Sequence, residues 1–312
     1  MKQIRPLFII LFAILLQTGA IAQTIAWKKV ASLPEKSSGG EAVLLNNNIY
    51  YVASSHAPRS ETSDFYMYNI SEDKWDTLAK MPEARGNLAL AAVYGKIYAI
   101  GGSFSNTNYE YDPKTDTWQI VSNMPTGRQH IDCGVVNNKI YVIGGITSFF
   151  NITKKNEVYD PGNDNWQEKA SIPTLRNNPA VVTLDSLIYV IGGAGSQTSI
   201  WGNIATVECY NTNTNHWTTK SNIPSPIFKP GAVVMNNKIV VLGGQNAKGT
   251  SLSTVSVYDP ENDTWENTTS LPRINCFAGY VSVGNKIYVI GGTTSDPNWT
   301  YYSDVYEGTV ND

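Results

Sequence analysis

Histidine and cysteine are scarce, with three of each among 312 residues. Cys133, Cys209 and Cys276 are odd in number and lack any Cys-x-x-Cys spacing. A disulfide framework therefore does not hold this chain, and the three read as buried free thiols. Three imidazoles, one of them His216 at a turn beside Trp217, are too few for a multi-histidine metal centre. No metal and no other cofactor is expected. Charge is also sparse, at 16% of residues and net -3, with no basic stripe of the kind that nucleic acid or an anionic membrane requires. There is no Gly-x-Ser-x-Gly, no recognisable Ser-His-Asp arrangement and no glycine-rich phosphate loop leading into a helix. Helical periodicity is missing throughout.

Long apolar runs are missing too, except one. Leu7 to Leu16 is a ten-residue apolar run behind the basic head Lys2 and Arg5, followed by the small-x-small exit Ala20-Ile21-Ala22. That layout predicts a signal peptide over residues 1–22, since a membrane span needs about 20 apolar residues. The mature chain, 23–312, is then expected to be soluble, monomeric and periplasmic or extracellular, with no membrane span.

What is abundant is aromatic residues and glycine, in a repeat. Ile97-Tyr98-Ala99-Ile100-Gly101-Gly102 recurs at Ile140 to Gly145, Ile188 to Gly193, Ile239 to Gly244 and Ile287 to Gly292, with a degenerate copy at Ile49 to Ser54. A Tyr and, seven residues later, a Trp follow five of the copies: Tyr68 and Trp75, Tyr111 and Trp118, Tyr159 and Trp166, Tyr210 and Trp217, Tyr258 and Trp265. Three of these segments read Tyr-Asp-Pro-x-x-Asp-x-Trp. Each period predicts four strands: an Ala/Val-rich first strand, a tight Asn/Gly turn, a second strand apolar on both faces, a third ending at the Tyr and a fourth starting at the Trp. The paired glycines predict close approach of neighbouring backbone. The Tyr and Trp read as packing between units.

Six four-stranded units at this period predict an all-β, six-bladed propeller. The double glycine, the spaced Tyr and Trp and the Asp-Pro turn resemble the Kelch repeat, over essentially the whole of 23–312, with repeats near 35–82, 83–125, 126–173, 174–224, 225–272 and 273–312. The last copy runs through Asp304-Val305-Tyr306 and would need its Trp at a position past 312. Ile25-Ala26-Trp27 supplies a matching strand, so residues 23–34 are expected to close the ring as the sixth blade's outer strand.

The resemblance implies that ligands bind through two loop sets on one face. One set precedes each blade's first strand and the other follows each double glycine. Sixteen residues before each double glycine stand Ser37, Arg85, Arg128, Arg176, Ile227 and Asn275; two residues further on stand Gly39, Asn87, His130, Asn178, Lys229 and Phe277. Two readings stay open for Arg85, Arg128 and Arg176. Either their guanidiniums converge on an anionic ligand, or they pair with blade carbonyls and carboxylates, with Glu83 and Asp132 as candidate partners. Ligand-binding candidates are Arg85, Arg128, Arg176, His130, Asn87, Asn178, Lys229 and Asn275, together with Trp201 and Trp299, the two tryptophans that the repeat does not explain. The expectation is an exported module that binds a protein or a glycan, with catalytic residues unknown. The alternative is a carbohydrate isomerase resembling the sialic acid mutarotases, acting on an acidic sugar with Glu41, Asp132 and His130 as acid–base groups.

Overall fold

Every repeat folds as a four-stranded antiparallel sheet because its second strand is apolar on both faces and must be covered twice. A computed structural model describes residues 24–58, 60–148, 151–195, 202–295 and 299–311. Segment 1–22 and Trp201 lie outside the described residues. In blade 2 the strands are Ala89–Val93, Lys96–Ile100, Asn108–Asp112 and Thr117–Val121, paired in that order. The inner strands of the other blades are Glu41–Leu45, Asp132–Val136, Ala180–Leu184, Gly231–Met235 and Gly279–Val283, and they surround a central channel. Among the described residues no helix is long and apolar enough to cross a membrane.

Local chemistry sets the turns and the blade spacing. The first hairpins turn on paired left-handed residues such as Asn137-Asn138 (φ +49° and +59°) and Asn236-Asn237 (+47° and +58°), as two-residue hairpins require. The double glycines meet two demands at once. Gly101 and Gly144 have φ of +65° and +68°. A Cβ at either would stand 2.8 Å from the Arg128 carbonyl oxygen or 2.9 Å from that of Arg176, on the next blade.

The Tyr and Trp do pack between blades, and they form a clamp. Each Tyr hydroxyl donates to the carboxylate or amide oxygen of Asp73, Asp116, Asp164, Asn215 or Asp263 over 2.5–2.7 Å. The same oxygen accepts a backbone N–H from the preceding blade's exit segment, at Ala31, Ala79, Ser122, Ala170 or Ser221, over 2.8–2.9 Å. The carbonyls of those five residues accept the Trp Nε1–H over 2.7–2.9 Å. Two bonds per seam thus join the blades at their outer edge, and the Tyr hydroxyl holds the acceptor in place from within its own blade.

The sixth blade closes as expected, with Thr24–Val30 paired to Val305–Asn311 from Thr24↔Asn311 to Val30↔Val305. Its register corrects one detail. Tyr306 does not occupy the repeat's Tyr position. Ile287 faces Gly308, and Gly308 faces Trp27, as Ile97 faces Tyr111 and Tyr111 faces Trp118. The Trp27 ring fills the room taken by Tyr elsewhere, since a Cβ on Gly308 would lie 2.5 Å from it. Among the described residues no clamp forms at this seam. Ile25 N–H donates to Thr269 Oγ1 over 3.1 Å instead, and buried Trp27 Nε1 has no partner among the described residues.

Candidate functional site

Both loop sets lie on one face and are knitted together. Short bridges pair Ser38 with Ser55, Gln129 with Ile146, Asn177 with Ala194, Phe228 with Gln245 and Cys276 with Thr293. Just inside them, Gly39, Asn87, His130, Asn178, Lys229 and Phe277 all have φ between +46° and +74°. Their backbones bond from blade to blade around the axis: Gly39 N to Phe277 O over 2.7 Å, His130 N to Asn87 O and Asn178 N to His130 O over 3.0 Å, and Lys229 N to Asn178 O over 3.1 Å. Gly and Asn tolerate that conformation easily, whereas His, Lys and Phe hold it at a cost.

The arginines are not at the mouth. Arg128 and Arg176 are fully buried and Arg85 is 2% exposed. Side chains at this position turn into their own blade, so the anion-binding reading of the arc gives way to the structural one. Arg176 donates to Gly192 O (2.7 Å), Thr206 O (2.9 Å) and Glu208 Oε2 (2.6 Å). Arg128 donates to Thr126 O and Val142 O over 3.0 Å and forms an ion pair with Glu157. Arg85 donates to Gly101 O over 2.8 Å and lies 4.7 Å above the Tyr109 ring. Glu83 stands 3.7 Å from Arg85, but Asp132 pairs with none of the three. The real partners, Glu157 and Glu208, stand two residues before the repeat Tyr, a regular position in the sequence. Asn275 is likewise inside its blade, donating to Gly291 O over 3.1 Å.

What the mouth offers instead is aromatic and amide surface. Trp299 is 44% exposed, adopts φ +47°, and stands edge-on to Phe277 at 6.3 Å, which meets Phe228 at 6.2 Å. Beside this shelf lies a groove of about 230 Å³ lined by Ser38, Ser54, Glu61, Asn87 and Tyr301. Trp299 and Asn87 are thus brought together. His130 and Asn178 sit elsewhere on the ring, both bonded to Asn177 Oδ1, at 2.9 and 3.1 Å. Burial, with the Lys229 charge adding to it, pushes the His130 imidazole down to about 4. Phe228 was not legible as a site residue, because nothing in the repeat marks it.

The channel below holds a second cluster. The inner strands begin with Glu41, Ala89, Asp132, Ala180, Gly231 and Gly279, two acids from blades 1 and 3 among small residues. Lys229 reaches in from blade 5, and its Nζ lies 2.7 Å from Glu41 Oε1. A cavity of about 290 Å³ contains all three groups. Asp132 accepts N–H bonds from Cys133 (2.7 Å) and Val181 (2.8 Å), and among the described residues no cation stands in contact with it, Lys229 acting on it only from a distance. Burial first, and the Glu41 charge second, raise its carboxyl to about 7. Burial opposes the Lys229 charge, but Glu41 and Asp132 outweigh it and raise the ammonium's pKa. Burial raises the Glu41 carboxyl too, against the pull of Lys229, so the channel holds two acids of raised pKa beside one ammonium. Among the described residues no three His, Cys, Asp or Glu side chains are arranged to hold a metal.

Comparison with known proteins agrees with the architecture. A family model for the Attractin/LZTR1 β-propeller matches residues 49–298. Kelch-like protein 30 from Homo sapiens is 32% identical over 81 residues, which cover 25% of this chain and 14% of that protein. A solved structure described as "Structure of YjhT" superposes with a TM-score of 0.79 at 19% identity, covering 91% of this chain and 99% of that one, a likeness of fold.

Proposed function

This chain belongs to the Attractin/LZTR1 β-propeller family, of Kelch type, and from that premise we propose that it is an exported protein-binding module acting through its loop face. The observation that carries this reading is the exposed Trp299 against Phe277, beside a polar groove. Large aromatic residues over hydroxyl, amide and carboxylate groups are the composition of interaction hot spots. Export rests on the leader pattern of residues 1–22. The test is capture from an envelope fraction by wild type, Trp299→Ala and Ile120→Ala, with partners identified by mass spectrometry and affinity measured by calorimetry. Ile120 is 66% exposed on an outer strand, away from the mouth. Trp299→Ala should weaken binding at least about tenfold, as hot-spot truncations do, and Ile120→Ala should not. Capture indifferent to Trp299 would sink the reading. Glycan-array binding lost in Trp299→Ala would change the ligand class from protein to glycan.

A second reading has its own observation. Asp132, Glu41 and Lys229 in the channel are an acid–base set of the kind that ring opening and closing of an acidic sugar requires. On this reading Asp132 carries the proton and Lys229 attracts the carboxylate. Accelerated anomeric exchange of N-acetylneuraminate by NMR, lost in Asp132→Asn, would favour the isomerase.

A further inference from the structure

Blades 2 to 6 serve as controls for one another at one internal slot. In blades 3 and 4 the slot is filled by Arg128 with Glu157 and by Arg176 with Glu208. Thr126 and Thr174, two residues before each arginine, donate to the same carboxylates over 2.7 and 2.9 Å. In blade 2 Arg85 keeps its place and Tyr109 stands where the glutamates do. In blade 6 Arg273 enters from two residues upstream, donates to Gly291 O over 3.0 Å and lies 3.5 Å above the Tyr302 ring. Blade 5 departs from all of these. Ile227 replaces the arginine, Ser256 replaces the glutamate and Ser225 replaces the threonine. A cavity of about 250 Å³ remains, lined by Ile223, Ile227, Val241 and Leu252, with Ser225 and Ser256 among its polar groups.

We propose that this vacated slot in blade 5 is the anchor pocket for an uncharged aliphatic side chain of the protein partner, a proposal that rests on the binding-module reading above. Three observations set the occupant. Its volume exceeds the roughly 150 Å³ at which an apolar cavity already holds a benzene-sized group. Among the described residues no carboxylate lines it, so an arginine or lysine entering it would lose hydration without a counter-charge. Its rim at Pro224, Ser225 and Thr254 is exposed, which suits a side chain delivered by a longer chain better than a free small molecule. The surroundings fit that chain. Asn246 is shared with a neighbouring cavity of about 250 Å³ lined by Asn203, Gln245 and Phe228. Amides there can bond an extended backbone, and Phe228 leads on to Phe277 and Trp299.

Methyl NMR of the intact protein tests this with capped leucine (N-acetyl-leucine N-methylamide) as the probe. Saturable shifts are expected at the Ile227, Val241 and Leu252 methyls, with affinity at least about tenfold above that for capped alanine. Filling the slot with Ile227→Arg and Ser256→Glu together rebuilds the pair of blades 3 and 4 and should abolish the Val241 and Leu252 shifts. Ser225→Phe, on the exposed rim, should abolish them as well without touching the interior. No saturable shift in wild type, undiminished shifts in both filled variants, or tighter binding of capped arginine would each overturn the proposal. The probe reads the cavity alone. Its failure beside partner capture that still needs Trp299 removes the pocket and leaves the binding module; saturable shifts beside capture indifferent to Trp299 keep the pocket and remove the aromatic shelf.

Discussion

Replacing Arg176 separates a structural guanidinium from a ligand-binding one. Its side chain is fully buried, that of Glu208 is 2% exposed, and the two meet at 2.6 Å. Removing the guanidinium strands the Glu208 carboxylate with only the Thr174 hydroxyl at 2.9 Å. It also takes a donor from Gly192 O and Thr206 O. Breaking one side of such a pair costs roughly 3–5 kcal/mol, whereas replacing both sides by apolar groups of similar volume is often neutral or better. Arg176→Met and Glu208→Leu should therefore each lose about 3–5 kcal/mol, and the double variant should lose only about 1 kcal/mol, so the coupling, the two single losses together less the double's, should be roughly 5 kcal/mol or more. Urea unfolding at pH 7 reads all four corners of the cycle. A loss under about 1 kcal/mol for Arg176→Met, with partner or sugar binding abolished, would refute the reasoning, because a rim guanidinium behaves that way.

Three further outcomes follow from the same geometry. Asp116→Ala leaves the Tyr111 hydroxyl and the Ala79 N–H without their acceptor; unfolding should register a loss of about 2–4 kcal/mol, against under about 1 kcal/mol for Thr269→Val at the seam that has no clamp. Deleting residues 23–34 uncovers the edge of Val305–Asn311 and should abolish the cooperative thermal transition; an unchanged melting curve would rule out closure by this strand. Asp132 is raised to about 7 in the folded chain, above its unfolded value near 4, so its stabilising share is present at low pH and is lost as pH rises through 7. Wild type should lose roughly 3 kcal/mol between pH 5 and 8 from this group, Asp132→Asn should lose distinctly less, with the raised Glu41 carboxyl still contributing, and parallel pH profiles for the two would count against the raised Asp132 carboxyl.

Blade number, hairpin turns and glycine spacing could be read from the sequence, because each has a local cause repeated five or six times; ring closure could be read because Ile25-Ala26-Trp27 matches the one outer strand that the last copy lacks. The arginines show where local counting stops. Counting places Arg85, Arg128 and Arg176 on a ring but does not say which way they turn. Two residues later the chain passes through a left-handed residue, so neighbouring positions face different surroundings. The missing signal was present as a correlation between repeats, with Arg128 and Arg176 matched by Glu157 and Glu208, and Ile227 by Ser256. Gly308 was missed because the last blade spends its aromatic residue on the outer strand, at Trp27. The Lys229–Glu41 pair had no local signature, since its partners are 188 residues apart and meet only when the ring is closed.

A repeat chain is a set of internal controls, and its departures from the repeat are unevenly placed. Regular positions, such as the five Tyr–Trp clamps and the buried arginines, stabilise blades and seams. The irregular ones work against stability. A buried acid at the head of blade 3 has its carboxyl raised to about 7, Lys229 and Phe277 hold left-handed backbone, Trp27 buries an N–H with no partner among the described residues, and blade 5 keeps an unfilled slot. Strained backbone and unpaired buried polar groups each cost about 1–3 kcal/mol. Blades 2 and 4 carry some of these costs as well, with buried Arg85 Nε and Asn178 Oδ1 lacking hydrogen-bond partners among the described residues. Blades 5, 6 and 1 contribute Ile227, Phe228, Lys229, Phe277, Trp299 and Glu41, which together join the slot, the aromatic shelf and the channel across one side of the ring. On the proposed binding function, that side is where a ligand, rather than the fold, accounts for the residues present.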